Sequence, residues 1–180
     1  HRNRWAPADE IECTAAFIRY VAETYRLNSR CVPVGMSCGG LLSARLAQTY
    51  PELVAALYLD APVLNILSML GYGDATCELS IFLEMADAYG FDRSTAVNFR
   101  ESRIDHMDIL LRNKIPIILL YGNADTTVVY RENGAVLADY YRKHGGTIKV
   151  IGKSMCGHHP HGLKDPTPII QFIEENALWD

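Results

Sequence analysis

CVPVGMSCGGLLSARLAQTY, residues 31–50, runs from a short apolar segment through a glycine-flanked serine into a stretch with helical spacing. CVPVG (31–35) reads as a short buried strand, although Pro33 lacks an N–H and argues against a well-bonded central position. CGGLLSARLAQTY (38–50) reads as an amphipathic helix that Pro51 stops. Between them Gly35-Met36-Ser37-Cys38-Gly39 matches the pattern G-x-S-x-G, with Gly40 following. A serine in a sharp turn needs small neighbours two residues away on either side, so that strand and helix pack closely while the hydroxyl projects above them. With each fixed letter at roughly 7% of residues, the pattern occurs by chance in about 5% of chains of this size. The strand before and the helix after are therefore what give the match its meaning.

Outward from this turn, strands and helices alternate. Residues 9–27 (DEIECTAAFIRYVAETYRL) carry an apolar helical stripe with acidic residues in the first turn, which suits the helix dipole. VAALYLD (54–60) and IPIILLYG (115–122) are continuous apolar runs of strand length, and TIKVIGK (147–153) is a further strand. Residues 130–144 form a helix ending in Arg142, Lys143 and His144 before two glycines, and PTPIIQFIEENAL (166–178) closes as a helix with proline near its start. Uniformly apolar strands alternating with helices predict an α/β fold: a doubly wound, mostly parallel sheet covered on both faces. Four strands are few for such a sheet, which leads to the expectation of further strands upstream of His1. Residues 61–114 are irregular, with helical pieces at ELSIFLEMADAYG and HMDILLRN, and read as a cap-like insertion in a single domain spanning 1–180. Met69, Tyr72, Phe82, Met85 and Tyr89 in that region either line a pocket or, at helical spacing, belong to the core.

Composition narrows the function classes. At 180 residues with 49% hydrophobic and 21% charged residues, the chain has the makeup of one globular domain. A net charge of −4 gives no reason to expect nucleic acid or an anionic membrane as partner. No apolar run reaches the roughly 18 residues of a membrane span. Five cysteines, an odd number without CxxC spacing, favour reduced thiols and a cytoplasmic setting. The opening HRNRWAPADE has no initiator Met and no signal-peptide pattern, so any targeting segment is expected upstream. Oligomeric state is not legible.

GMSCGGLLSARLAQTYPELVAALYLDAPV (35–63) resembles the nucleophile elbow, helix and following strand of the α/β-hydrolases, and the likeness continues through IPIILLYGNADTTVV and GHHPHGLKDPTPIIQFI to the C-terminus. The resemblance implies a serine nucleophile, Ser37, followed in chain order by an acid and a histidine base. A serine hydroxyl attacks at neutral pH only when a base takes its proton, and the base works best with a carboxylate holding its tautomer. Asp125, in the loop after strand 115–122, is implied as that carboxylate. Its structural alternative is an Asx turn, and the rival acid is Asp60 at the end of strand 54–60. The base falls in KSMCGHHPHGL: His158, after Gly157, is preferred, with His161 second and His159 third. The Cys38 N–H, at a helix N-terminus, points to where an oxyanion forms. A second oxyanion donor is expected nearer the N-terminus, and nothing in residues 1–30 resembles its loop. Reading Cys156, His158, His159 and His161 as metal ligands is disfavoured, because neighbours in a short loop seldom point at one ion and no second cluster completes a zinc site.

The resulting expectation is a serine hydrolase that cleaves a small-molecule carboxylic ester through an acyl-enzyme, without metal or organic cofactor. The GHHPH loop with DPTPI suggests an esterase-like branch acting on carbohydrate esters. The alternatives are a serine peptidase of the prolyl-oligopeptidase kind and a non-catalytic binding protein of the same fold.

Overall fold

A computed structural model describes residues 5–180; His1 to Arg4, part of the stretch searched for a second oxyanion donor, lie outside the described residues. The elements in order are α1 (Ala8–Tyr25), β1 (Val34–Met36), α2 (Cys38–Thr49), β2 (Leu57–Asp60), α3 (Leu79–Tyr89), α4 (Met107–Arg112), β3 (Ile117–Gly122), α5 (Gly134–Lys143), β4 (Ile148–Lys153) and α6 (Thr167–Asn176). The four strands lie side by side in sequence order, every pair parallel. This is the α/β architecture expected from the alternation of elements.

Strand geometry explains why the sheet is covered on both faces. Successive side chains point to opposite sides, so a wholly apolar strand offers two apolar faces. In β2 and β3, Leu57, Leu59, Ile117 and Leu119 enter one core with α1, α2 and α5. Tyr58, Ile118 and Leu120 point the other way and meet Ile169 and Phe172 of α6. Burying each such side chain contributes roughly 1.5–3 kcal/mol, which is why these two strands anchor the sheet.

Pro33 moves the first strand. The sequence suggested 31–35, but β1 occupies Val34–Met36, and Cys31 makes only an isolated bridge to Val54. Proline has no N–H to donate, although its carbonyl still accepts the Tyr58 N–H at 3.1 Å. The regular ladder therefore begins after it and runs directly into Ser37. Register then aligns the strand ends: Met36 lies opposite Asp60, Asp60 opposite Leu120, and Gly122 opposite Lys153. The loops that leave these ends share one rim, where open parallel sheets form their sites.

The region 61–114 shares the main core. Val63, Leu64, Ile66, Met69, Leu70, Met85, Ala96 and Leu110 are all buried in the cluster that covers β2 and β3. Of the candidate pocket residues, Met69 and Met85 are core, while Phe82 and Tyr89 pack around Phe91. Tyr72 is exposed. Among the described residues no helix is long and apolar enough to cross a membrane.

The helix expected at 130–144 is broken at Asn133. Tyr130–Glu132 make one tight turn, and α5 starts at Gly134 because Asn133 takes a non-helical backbone (φ −124°, ψ −92°). Its buried side chain accepts the Leu64 and Asn65 N–H groups at 2.9 and 2.8 Å and donates to the Val129 carbonyl at 3.0 Å. One amide thus ties the loop after β2 to the start of α5. Asn133→Ala leaves two N–H groups without their acceptor, a loss of about 2–6 kcal/mol at roughly 1–3 kcal/mol each. Urea unfolding of this variant checks the value, and a loss below about 1 kcal/mol would contradict it.

Candidate active site

The turn between β1 and α2 is tight enough to force an unusual backbone. Ser37 has φ 53° and ψ −120°, outside the regions that residues with a Cβ ordinarily occupy. Its N–H donates to the Asp60 carbonyl at 3.1 Å, and its own carbonyl accepts from Gly40 and Val63 at 2.9 and 3.0 Å. These bonds hold the strained residue between β2 and α2. The glycine requirement is not symmetric about the serine. A Cβ on Gly35 would stand 2.6 Å from the Gly39 carbonyl oxygen and 2.7 Å from the Gly40 Cα, whereas one on Gly39 meets nothing within 4 Å. The second constraint falls on Gly40, where a Cβ would come within 2.7 Å of the Pro62 Cα.

Two loops face this turn from the ends of β3 and β4, and backbone hydrogen bonds join them. Asn123 N–H donates to the Lys153 carbonyl at 3.2 Å and Ala124 N–H to the Cys156 carbonyl at 2.9 Å. The first loop carries Asp125 and the second His158. His158 Nε2 lies 2.9 Å from Ser37 Oγ, and His158 Nδ1 lies 2.8 Å from Asp125 Oδ2. In the tautomer that donates from Nδ1, Nε2 is left to accept the serine proton. The Asp125 side chain is 1% exposed and that of His158 15%. Asp125 uses its other oxygen, Oδ1, to accept the Thr127 and Val128 N–H groups, each at 2.9 Å. The Asx-turn role and the histidine-holding role therefore coexist, one on each carboxylate oxygen. Cys38, the first residue of α2, has no acceptor for its N–H one turn back in the helix.

Asp60, the rival acid, is engaged elsewhere. Its fully buried carboxylate holds Lys153 Nζ at 2.8 and 3.1 Å and accepts the Gly162 N–H at 2.5 Å. Lys153 also donates to the Pro160 carbonyl at 3.0 Å. This pair braces the histidine loop from below, a role that the sequence reading missed. The lysine that ends strand TIKVIGK, opposite Gly122, was the available signal. His161, the rival base, sits 3.7 Å by Nδ1 from Asp60 Oδ1, and that nitrogen is buried without a hydrogen-bond partner. Burial pushes its imidazole below the ordinary histidine range, with Asp60 pulling the other way. His159 is exposed.

The three histidines of this loop lie close together. One ligating atom each from His158, His159 and His161 lies within 4.8 Å of the others, and the three rings meet edge to face. Cys156, the fourth member considered, turns its thiol to the His159 and Pro160 carbonyls.

Beside Ser37 a cavity of about 670 Å³ opens between α1, β1 and α2. Trp5, Ala6, Val34, Met36 and Leu42 make its wall largely apolar, with Glu10 and Ser43 as polar members.

The parallel sheet, the strained serine turn and the histidine and carboxylate on the following loops define a chain of the α/β-hydrolase fold with a serine nucleophile elbow. More specifically, it belongs to the prolyl oligopeptidase family, whose sequence model matches residues 2–179. The acylamino-acid-releasing enzyme of Mus musculus is 31% identical over 148 residues, which cover 81% of this chain and 19% of that protein. The chain thus spans about a fifth of the length of this curated relative. A puromycin-hydrolyzing peptidase of Mycobacterium tuberculosis superposes on 99% of the chain and 26% of its own, with a TM-score of 0.77 and 15% identity. An acylaminoacyl peptidase of Pyrococcus horikoshii covers 79% of the chain and 22% of its own, with a TM-score of 0.62 and 12% identity. At such identities the two structures establish the shared fold.

The asymmetry of the glycines is directly testable. Gly35→Ala should destabilise the protein by about 1–3 kcal/mol or more through overpacking. Gly39→Ala, inside α2 with open space, should be neutral or stabilising by up to about 1 kcal/mol. Thermal unfolding of the two variants checks the order, and equal losses would contradict it.

Proposed function

We propose that this chain is the catalytic part of a serine acyl hydrolase working through an acyl-enzyme, with Ser37 as nucleophile, His158 as general base and acid, and Asp125 as the group that orients His158. The observation that carries the reading is the unbroken hydrogen-bonded chain from Ser37 Oγ through the His158 ring to the buried Asp125 carboxylate, at 2.9 and 2.8 Å.

Ser37 Oγ attacks the substrate carbonyl carbon as His158 Nε2 takes the hydroxyl proton. Asp125 Oδ2 accepts the Nδ1–H bond and stabilises the imidazolium that forms. The Cys38 N–H, reinforced by the dipole of α2, faces the developing oxyanion. His158 then gives the proton to the leaving group, which departs and leaves the acyl group on Ser37. Water then adds to the acyl carbon as His158 takes its proton, and His158 returns that proton to Ser37 Oγ as the acyl–oxygen bond breaks and the acid product leaves.

On the nature of the bond, the family and the 31%-identical mouse acylamino-acid-releasing enzyme favour an amide: release of an acylated amino acid from a short peptide. The apolar cavity beside Ser37 suits an acyl or apolar side-chain group of modest size. Cleavage of a carboxylic ester is the second reading, favoured by the GHHPHGLKDPTPI loop (157–169) and its resemblance to esterases. Both use the same triad.

Turnover of an N-acetyl-amino-acid anilide and of a short-chain aryl ester, measured side by side on the protein in its full-length form, separates the two. The peptidase reading expects appreciable kcat/KM on the anilide; an ester-only enzyme would leave the anilide intact. Ser37→Ala should remove both activities by about 10⁴-fold or more without loss of fold. Undiminished turnover in that variant would overturn the mechanism.

A further inference from the structure

We propose that His158, His159 and His161 form an inhibitory site for a zinc-like divalent cation, which switches off the triad by occupying the nitrogen that His158 uses as base. This rests on the reading of His158 as general base. The three ligating nitrogens already lie within 4.8 Å of one another. A tetrahedral ion with nitrogens at about 2.0–2.1 Å needs them about 3.4 Å apart, so a closure of about 1.4 Å completes the set. An all-imidazole donor set suits Zn²⁺, Cu²⁺ or Ni²⁺ over Mg²⁺ or Ca²⁺.

The surroundings of two of the rings match what a metal-ligating histidine requires on its far side. A ligating imidazole donates its other N–H to a carboxylate or carbonyl, which fixes the ring and raises its basicity. His158 Nδ1 faces Asp125 at 2.8 Å, leaving Nε2 for the cation. His161 Nδ1 faces the buried Asp60 carboxylate at 3.7 Å and has no hydrogen-bond partner, which a small ring rotation supplies when Nε2 is drawn to an ion. Asp60 is itself held by Lys153, so the carboxylate behind His161 is fixed. His159, exposed at the rim against the other two rings, supplies the third ligand and leaves an open route for entry. The fourth position remains for water.

The consequence for chemistry is direct. His158 Nε2 has one lone pair, and Ser37 Oγ at 2.9 Å donates its proton to it. A cation bound there takes that lone pair, the serine loses its acceptor, and nucleophilic attack stops until the ion leaves.

Calorimetric titration of the metal-free, EDTA-treated chain with Zn²⁺ alone tests the site. One ion per chain is expected, and His159→Gln and His161→Gln should each weaken binding at least about tenfold. His159→Gln carries the test if the half-buried His161 variant does not fold. Ser37→Ala should bind zinc at least as tightly as the parent chain, because no hydroxyl competes for Nε2. Zinc should slow fluorophosphonate labelling of the parent chain, and EDTA should restore it. Zinc binding that is absent, or unchanged in both histidine variants, overturns the site even when metal-free labelling proceeds. Zinc binding as expected in a metal-free chain that does not label supports the site and counts against the hydrolase reading instead.

Discussion

The backbone of Ser37 is the constraint on which the rest depends. A residue with a Cβ held at φ 53° and ψ −120° costs on the order of 1–3 kcal/mol. The strain persists because three backbone hydrogen bonds to β2, α2 and the loop after β2 fix the residue on both sides. Its reward is position: strand and helix come so close that Gly35 lies against the backbone of Gly39 and Gly40, while the hydroxyl stands clear above the strand ends. The parallel register then brings the loops after β3 and β4 to the same rim. Without the strained turn, the serine would lie within the helix surface, and those loops would have nothing to meet.

The same economy governs the loops of Asp125 and His158. Asp125 divides its two oxygens, one shaping its own loop and the other reaching His158. The loop bearing His158 is fastened to the Asp125 loop through Lys153 and Cys156 carbonyls, and to the sheet through Asp60. The Asp60 carboxylate, read from the sequence as the rival acid, anchors the loop that carries His158. Charge buried at Asp60 is tolerated because Lys153 and the Gly162 N–H meet it.

Much of this was legible in residue order, for physical reasons. The apolar run 115–122 could hardly be anything but a doubly covered strand, and the glycines around Ser37 had a steric meaning before any coordinate existed. Asp125 and His158 followed from chain order in the family resemblance. What escaped depends on distance through space. Pro33 displaced β1 by removing a donor, and Asn133 interrupted a helix because the loop after β2 needed its side chain. Gly39 satisfied the motif yet has room for a methyl, while the real second contact, Gly40 with Pro62, spans 22 positions. The convergence of three histidines was missed because spacing along a loop does not reveal where the rings point. Membership in the prolyl oligopeptidase family also moved the preferred bond from ester toward amide, since both chemistries share one triad and the triad's residues cannot tell them apart.

The central claim is that Ser37 is the activated nucleophile. Its most direct test is reaction of the folded protein with a fluorophosphonate, followed by peptide mapping of the adduct by mass spectrometry. The account predicts one adduct per chain, on the peptide carrying Ser37, and a labelling rate that falls by orders of magnitude when His158 is replaced by alanine. An adduct on another serine, or a labelling rate that does not depend on His158, would contradict it.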